Sequence, residues 1–252
     1  MLGVFRRRQK LFQQGDLGLF VEFIQSLIPV NGSKFNLSET FKRLAEVGID
    51  GIILNKGILK EFIGYLPLNW KIIVQLSAAS KHGLPYYNRT LICSVAEALR
   101  LGADAVSLQL MLGNDLEDKM LQDLSLVLDD AHQLGIPVLV DIRPQGGQIV
   151  NEFDHGLLDY CIGMGIEWGA DMIMVSCRKS GLKSKLIFNC PVPLILKFTG
   201  KDLTFCFNLV KEYSTEQLAG ICITDKFLKN NDYWSDVLVK LRNKLKKHND
   251  HR

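Results

Sequence analysis

The stretch from Asp171 to Gly200 reads DMIMVSCRKSGLKSKLIFNCPVPLILKFTG and contains two short apolar runs. These runs are Met172–Ser176 and Leu194–Phe198, and each ends in polar residues. Apolar runs of this length between turn signals are typical of strands buried on both faces of a parallel sheet. The second run carries Lys197 among apolar neighbours, where a lysine must reach water, contact a carboxylate or lose its proton. Since strand ends carry the chemistry of such folds, Lys197 is the first candidate functional residue.

Strand-like and helix-like segments alternate along the whole chain, which predicts a parallel sheet. The predicted strands are Leu19–Ile24, Ile52–Leu54, Ile72–Leu76, Ala105–Leu110, Val138–Ile142, Met172–Ser176, Leu194–Phe198 and Ala219–Ile223. The predicted helices are Gly3–Gln13, a helix with Ser38 as N-cap that ends at Gly48, 58–65, Ser94–Leu101, Asp115–Leu134, about Asp154 to Trp168, 203–213 and Tyr233–Lys247. The pattern therefore contains eight strand–helix units.

One type of connection recurs: a glycine that ends a helix, an aspartate and then an apolar strand. It appears as VGIDGIIL at 47–54, LGADAVSL at 101–108 and WGADMIMV at 168–175. No Gly-x-Gly-x-x-Gly sequence follows the first strand, which argues against a dinucleotide-binding sheet. We therefore predict a single α/β domain over residues 1–252, a (β/α)8 TIM barrel, with a helix at about residues 3–13 capping its bottom.

Composition excludes several classes of protein. The 252 residues are 47% hydrophobic and 23% charged with a net charge of +3, and basic residues concentrate only at the two termini, so no nucleic-acid surface is predicted. The six cysteines form no C-x-x-C pair and no zinc pattern, so we expect reduced thiols and no metal. No apolar stretch has the length of a membrane span or the form of a signal peptide, so we expect a cytoplasmic protein without membrane contact.

Several segments resemble the archaeal-type class I fructose-bisphosphate aldolase family, which includes aminodideoxyheptulosonate synthases and the thiolase of quorum-signal breakdown. They are DGIILNKGI (50–58), QLSAAS (75–80), SVAEALRLGADAVSLQLMLG (94–113), HQLGIPVLVDIRPQG (132–146), GADMIMVS (169–176) and CPVPLIL (190–196). The resemblance implies a (β/α)8 barrel in which a lysine on strand six forms a Schiff base with a ketone, without a cofactor.

The same resemblance implies that the usual catalytic positions are replaced. The strand-six lysine falls on Met174, which cannot form an imine, and the strand-five tyrosine falls on Arg143. The remaining replaced positions are the strand-one aspartate near Ile24, the phosphate-binding Gly-Gly at Phe198 and Thr199, and the Gly-Arg after strand eight near Thr224 and Asp225. No catalytic residue of the family is therefore carried over to this chain.

A different set of charged residues points to the same end of the barrel. Asp141 and Arg143 are two residues apart and share a face of strand five, and Lys197 ends strand seven. We predict Lys197 as a relocated amine nucleophile or general base, Arg143 as a clamp for a substrate anion, and Asp141 as a proton carrier. The opposing interpretation is that Lys197 only forms an ion pair with Asp141.

Further substrate contacts are predicted at strand ends, namely Ser176, Gln109, Gln75, Ser77 and Lys56, although Lys56 is equally explained as a solvated loop lysine. The resulting hypothesis is a lyase or carbon–carbon bond-forming enzyme that acts on a small anionic carbonyl metabolite and assembles as a homo-oligomer. The alternative is a catalytically inactive barrel that binds a metabolite or a protein partner.

Overall fold

The structure, a computed structural model, describes residues 2–12, 17–24, 36–80, 82–177, 190–200, 203, 206–208 and 218–247. Within these residues, eight parallel strands form a closed barrel in which the first strand pairs with both the second and the last. In chain order the strands are β1 (Gly18–Phe23), β2 (Gly51–Asn55), β3 (Lys71–Gln75), β4 (Ala105–Leu112), β5 (Val138–Pro144), β6 (Met172–Cys177), β7 (Leu194–Phe198) and β8 (Gly220–Thr224). The predicted (β/α)8 barrel is confirmed.

Within the described residues, helices precede, separate and follow the strands. They are α1 (Leu2–Leu11), α2 (Leu37–Val47), α3 (Lys56–Phe62) followed by a 3₁₀ turn (Ile63–Tyr65), α4 (Val95–Arg100), α5 (Glu117–Gln133), α6 (His155–Glu167), α7 (Asp225–Lys229) and α8 (Trp234–Lys247). The sequence did not predict α7, because five residues are too few to show a helical period. Nor did it predict the short antiparallel pair formed by Ser77–Ala78 and Thr90–Leu91 outside the barrel. Most of the predicted helix 203–213 lies outside the described residues.

The start of α2 differs from the prediction. Asn36, not Ser38, is the N-cap, and its side chain accepts a hydrogen bond of 3.2 Å from the backbone N–H of Glu39. Ser38 lies within the first turn of the helix, where its hydroxyl donates to Asn36 Oδ1 at 2.8 Å. The prediction of Ser38 as N-cap is wrong, because both residue types are good caps and Asn36 stands at the correct distance from the free amide of Glu39.

The three repeated corners have a shared structure. Gly48, the first corner glycine, adopts a positive φ of 75°, which a residue with a side chain rarely does. The aspartate two residues after each corner glycine accepts a hydrogen bond from a backbone N–H of the preceding barrel strand. Asp50 accepts from Leu19 N at 2.7 Å, Asp104 from Ile72 N at 2.9 Å and Asp171 from Val138 N at 2.9 Å. The corner aspartates therefore fix the alignment of neighbouring strands at the amino-terminal end of the barrel.

Apolar side chains fill the interior of the barrel. This interior cluster consists of Leu11, Phe20, Ile53, Ile73, Ala105, Leu139, Met172, Met174, Ile195 and Cys222, and Phe12 packs against it. Leu11 belongs to α1, so the N-terminal helix contributes a side chain to the barrel floor. Polar side chains replace apolar ones above this cluster, towards the carboxyl ends of the strands. The assignment of all residues to one domain stays a prediction.

Candidate active site at the carboxyl ends of the strands

Lys197 lies inside the barrel. Its residue is fully buried, at 0% exposure, although it stands at the fourth of the five positions of β7. Its Nζ donates hydrogen bonds to Oε1 of Glu22 and, at 3.0 Å, to Oδ2 of Asp141. Of the three outcomes that the sequence allowed for this lysine, contact with a carboxylate is the one observed.

Glu22 is a site residue that the sequence analysis missed. It lies on β1, two residues after Phe20 of the interior cluster, and is 5% exposed. Side chains two apart on a strand share a face, so Glu22 points inward as Phe20 does. Glu22 is a charged residue within the apolar run LFVEF, as Lys197 is within LILKF, so the same signal marks both residues in the sequence.

Asp141 is the centre of the polar network. Its Oδ2 accepts hydrogen bonds from Arg143 Nη2 at 2.8 Å, Lys197 Nζ at 3.0 Å and Gln109 Nε2 at 3.2 Å. Burial alone raises the pKa of Asp141, but the charges of Arg143 and Lys197 and their hydrogen bonds outweigh it and hold the pKa well below its usual value. Asp141 is therefore a stable anion in this site.

Arg143 completes the contact with Asp141. Its Nε donates to Asp141 Oδ1 at 3.3 Å, so the guanidinium binds both oxygens of the carboxylate. Burial lowers the pKa of Arg143, and the neighbouring Asp141 more than offsets this, so the pKa is raised. The side chain is 21% exposed, which leaves part of the guanidinium facing outward.

A cavity of about 290 Å³ opens above this network. Most of its lining side chains are polar or charged, and they come from the strand ends, the segment after β3 and the start of α7. The lining residues are Glu22, Ile24, Ala78, Ala79, Ser80, Tyr86, Arg89, Gln109, Arg143, Lys197, Thr199, Thr224, Asp225 and Lys226. Met174 and Phe198, whose side chains could have sealed the mouth, are buried in the apolar clusters and do not line it.

The predicted residues divide into two groups by position. Lys197, Arg143 and Gln109 line the cavity, and Asp141 lies directly beneath them, at 0% exposure. The other group does not line the cavity and consists of Ser176, Gln75, Ser77 and Lys56.

The members of the second group have different surroundings. Gln75 Nε2 donates to Ser77 Oγ at 2.9 Å, and Ser77 Oγ in turn accepts from Gln109 N at 3.0 Å, so this pair supports Gln109 from below. Lys56 forms an ion pair with Glu97 at 2.9 Å, and its side chain is 32% exposed. Lys56 therefore lies outside the cavity, and this arrangement does not support it as an anion contact.

Two buried hydroxyls lie on the two strands that neighbour β7. Ser176 on β6 is the register partner of Lys197, and Thr224 lies at the end of β8, the strand on the other side. Ser176 is 8% and Thr224 6% exposed, and neither hydroxyl has a hydrogen-bond partner among the described residues. Buried hydroxyls normally bond to protein or water, and of these two Thr224 lines the cavity, where its hydroxyl is available to a ligand.

Comparison with known proteins agrees with this architecture. The model of the DeoC/LacD family aldolases matches residues 13–195, which is most of the chain. The chain belongs to the DeoC/LacD aldolase family. The resemblance to archaeal-type class I aldolases and aminodideoxyheptulosonate synthases is thereby confirmed. Within the described residues of this DeoC/LacD protein, no helix could cross a membrane and no group of three or more His, Cys, Asp and Glu side chains could hold a metal ion.

The relatives of this DeoC/LacD chain include synthases and aldolases. It is 30% identical over 154 residues to 2-amino-4,5-dihydroxy-6-oxo-7-(phosphonooxy)heptanoate synthase of Streptomyces griseus, a match that covers 61% of the chain and 56% of the relative. It is 32% identical over 139 residues to fructose-bisphosphate aldolase class 1 of Thermoproteus tenax, which covers 54% of the chain and 51% of that enzyme. The matches thus span about half the length of these curated relatives.

Solved structures extend the likeness to nearly the whole barrel. A crystal structure of an archaeal fructose 1,6-bisphosphate aldolase superposes with a TM-score of 0.77 at 19% identity, covering 95% of this chain and 98% of the other. A second archaeal aldolase, with its catalytic lysine covalently bound to the carbinolamine intermediate of the substrate, gives a TM-score of 0.79 at 18% identity with the same coverage. At such identities the superpositions establish the fold.

Proposed function

We propose that the protein is an imine-forming lyase of the class I aldolase type, with Lys197 as the amine. The observation that carries the proposal is the placement of Lys197, a residue that lines the cavity and whose Nζ contacts two carboxylates. The resemblance aligns the lysine of the relatives with Met174 on β6, whereas Lys197 lies on the adjacent strand, β7. The proposed site therefore keeps the chemistry of the family and moves its amine by one strand.

In the proposed reaction, Lys197 first transfers a proton to Glu22 and its neutral amine attacks the carbonyl carbon of the substrate. The proton that the attacking nitrogen loses passes to the carbonyl oxygen, which gives the carbinolamine. Glu22 then returns its proton to that hydroxyl, which leaves as water, so that the iminium ion forms and Glu22 is again a carboxylate. Cleavage of the carbon–carbon bond sends its electron pair towards the iminium nitrogen, while the hydroxyl on the leaving fragment loses its proton to Glu22 and becomes a carbonyl. Protonation of the enamine at carbon and hydrolysis by water release the second product and the amine.

Glu22 suits the role of proton carrier better than Asp141, which is the residue that the sequence predicts for this role. Asp141 Oδ2 already accepts three hydrogen bonds, and its pKa lies well below the usual value, so it is a poor base. Glu22 lines the cavity and contacts Lys197 Nζ directly. In this proposal Asp141 holds Lys197 and Arg143 in position.

The substitution Glu22→Gln tests that assignment. We expect the exchange of the α-protons of a small ketone with deuterated water, followed by NMR, to slow by about 10²- to 10⁴-fold, the usual contribution of a general base. Glu46→Gln, on the exposed face of α2, is the matched control and should not alter the rate. An unchanged rate in Glu22→Gln would remove Glu22 from the mechanism.

Borohydride trapping tests the function itself. Incubation of the wild-type protein with small carbonyl compounds and sodium borohydride should reduce the iminium to a stable secondary amine. We expect intact-mass spectrometry to show one adduct, and peptide mapping to locate it on Lys197 rather than on Lys226 at the rim of the same cavity. An adduct on Lys226, or none with any carbonyl compound that binds, would contradict the proposal.

The alternative function is binding without catalysis, and one observation favours it. Lys197 is fully buried and bonded to two carboxylates, which is also the geometry of a purely structural ion pair. A protein that binds anionic carbonyl compounds but shows neither an adduct nor proton exchange would establish this alternative. The homo-oligomeric state and the cytoplasmic location stay predictions.

A further inference from the structure

Two arginines line the same cavity, and each keeps one nitrogen free. Arg89 donates from Nε to Gln109 Oε1 at 2.8 Å and from Nη1 to the backbone oxygens of Tyr86 and Asn88 at 3.0 and 2.8 Å. Arg143 uses Nε and Nη2 for Asp141. Among the residues that the structure describes, Nη2 of Arg89 and Nη1 of Arg143 have no hydrogen-bond partner.

One hydrogen-bond chain fixes the two arginines relative to each other. It runs from Arg89 to Gln109 at 2.8 Å, from Gln109 to Asp141 at 3.2 Å and from Asp141 back to Arg143 at 2.8 Å. Every link except Arg89 stands on a barrel strand, and Gln109 is only 7% exposed. Arg89 is therefore positioned by the barrel although it belongs to a loop, which is the support that a preformed binding site requires.

On this side of the cavity, positively charged side chains outnumber the carboxylates. Lys197 and Arg143 contact the two carboxylates of Glu22 and Asp141, whereas Arg89 forms no ion pair with any described residue. Burial lowers the pKa of Arg89 and the positive charge of Arg143 lowers it further, whereas the negative charge of Asp141 raises it. The two guanidinium groups therefore repel each other. An anion bound between them would remove that repulsion.

Lys197 lies very close to this anion site. Lys197 Nζ and Arg143 Nη2 contact the same oxygen atom of Asp141, at 3.0 and 2.8 Å. Lys197 and Arg143 therefore line one small region of the cavity, and a small ligand whose carbonyl carbon is at Nζ would carry its anionic group within a few carbons of that carbon. The volume of the cavity, about 290 Å³, also suits a small ligand.

We propose that Arg89 and Arg143 together bind the carboxylate of a small oxo acid whose carbonyl carbon lies next to Lys197. One carboxylate oxygen would accept from Nη2 of Arg89 and the other from Nη1 of Arg143. This inference rests on the proposed function for the identity of the reacting group and assigns Arg89 as a specificity-determining residue that the sequence analysis did not select.

Oxamate is the probe that separates this subsite from the imine chemistry, because it has the shape and charge of a 2-oxo acid but an amide that does not react with amines. We expect calorimetry to show oxamate binding to the wild-type protein and binding at least about tenfold weaker to Arg89→Gln, since one charged hydrogen bond is lost. Arg89→Lys, which keeps the charge but not the planar guanidinium, should bind with intermediate affinity. The matched control is Arg100→Gln, at an exposed arginine at the end of α4. We expect this control to bind oxamate with wild-type affinity.

The outcomes distinguish the two proposals. Oxamate binding that depends on Arg89, together with no borohydride adduct, supports the subsite and overturns the imine-forming function. An adduct with the uncharged glycolaldehyde, together with oxamate affinity that is absent or equal in wild type and Arg89→Gln, overturns the subsite and leaves the function standing. Inorganic phosphate that binds more tightly than oxamate and depends on Arg89 also overturns the assignment to a carboxylate.

Discussion

Replacing Lys197 with methionine is expected to abolish the borohydride adduct and to lower turnover by about 10³-fold or more, because the substitution removes the atom that forms the covalent bond. Methionine is close to lysine in length and fits an apolar barrel interior, so the backbone of β7 can keep its place. The measurement is the adduct yield by intact-mass spectrometry, followed by kinetics with any compound that wild type converts. An adduct yield equal to that of wild type would show that another amine reacts.

Two further variants separate lost chemistry from lost structure. Lys197→Met leaves Glu22 and Asp141 with one cation fewer, which alone can destabilise the fold. Lys197→Arg keeps the positive charge between the carboxylates, but its guanidinium stays protonated and cannot form the imine. We expect this variant to be folded by circular dichroism and still to form no adduct. Lys119→Met, on the exposed face of α5, controls for the loss of a lysine elsewhere and should react as wild type does.

The second large effect concerns stability. Asp141→Asn should lower the free energy of unfolding by about 3–5 kcal/mol, because Arg143 and Lys197 then lose a buried negative partner that both contact. Urea denaturation followed by circular dichroism measures the difference. Asp130→Asn on the exposed face of α5 is the matched control, with a change below about 0.5 kcal/mol. If Asp141→Asn lost as little stability as the control Asp130→Asn, the network would not stabilise the barrel.

The pH dependence of this difference follows from the pKa of Asp141. Since Arg143 and Lys197 lower that pKa in the folded protein, Asp141 contributes its stability above its unfolded pKa of about 4. The contribution is lost only as the pH falls below that value towards the folded pKa. The gap between wild type and Asp141→Asn should therefore be constant from about pH 8 to pH 5 and narrow below about pH 4.

The strand pattern was predictable because burial on both faces leaves short apolar runs that are easy to find. The recurring Gly-x-Asp corners added a second signal, and in the structure those aspartates bond to strand backbones. Errors occurred where local signals compete or are short. Ser38 and Asn36 are both acceptable helix caps, and the five residues of α7 are too few to show a period.

The residues of the site were predictable only where they lie on strands. Strand parity and the charge in an apolar run correctly brought Lys197, Asp141 and Arg143 together, and the same reasoning would have found Glu22. Arg89 could not be found in this way, because it belongs to a loop whose residues follow no period and whose position depends on Gln109, twenty residues later. Lys56 also stands at a strand end, but it forms its ion pair with Glu97 outside the cavity, so the end of a strand does not by itself place a side chain in the site.

The corner aspartates stabilise the barrel at the end that lies away from the candidate active site. They lie at the amino-terminal end of the strands, whereas every residue of the cavity lies at the other end, so hydrogen bonds such as that of Asp50 hold the strands in register whatever side chains occupy the mouth. Asp50 is itself clamped by Arg242 of the last helix, at 2.7 and 2.9 Å. Side chains at the mouth can therefore change without loss of these amino-terminal contacts, and the stability lost by an exchange such as Asp141→Asn comes from the carboxyl end of the barrel alone.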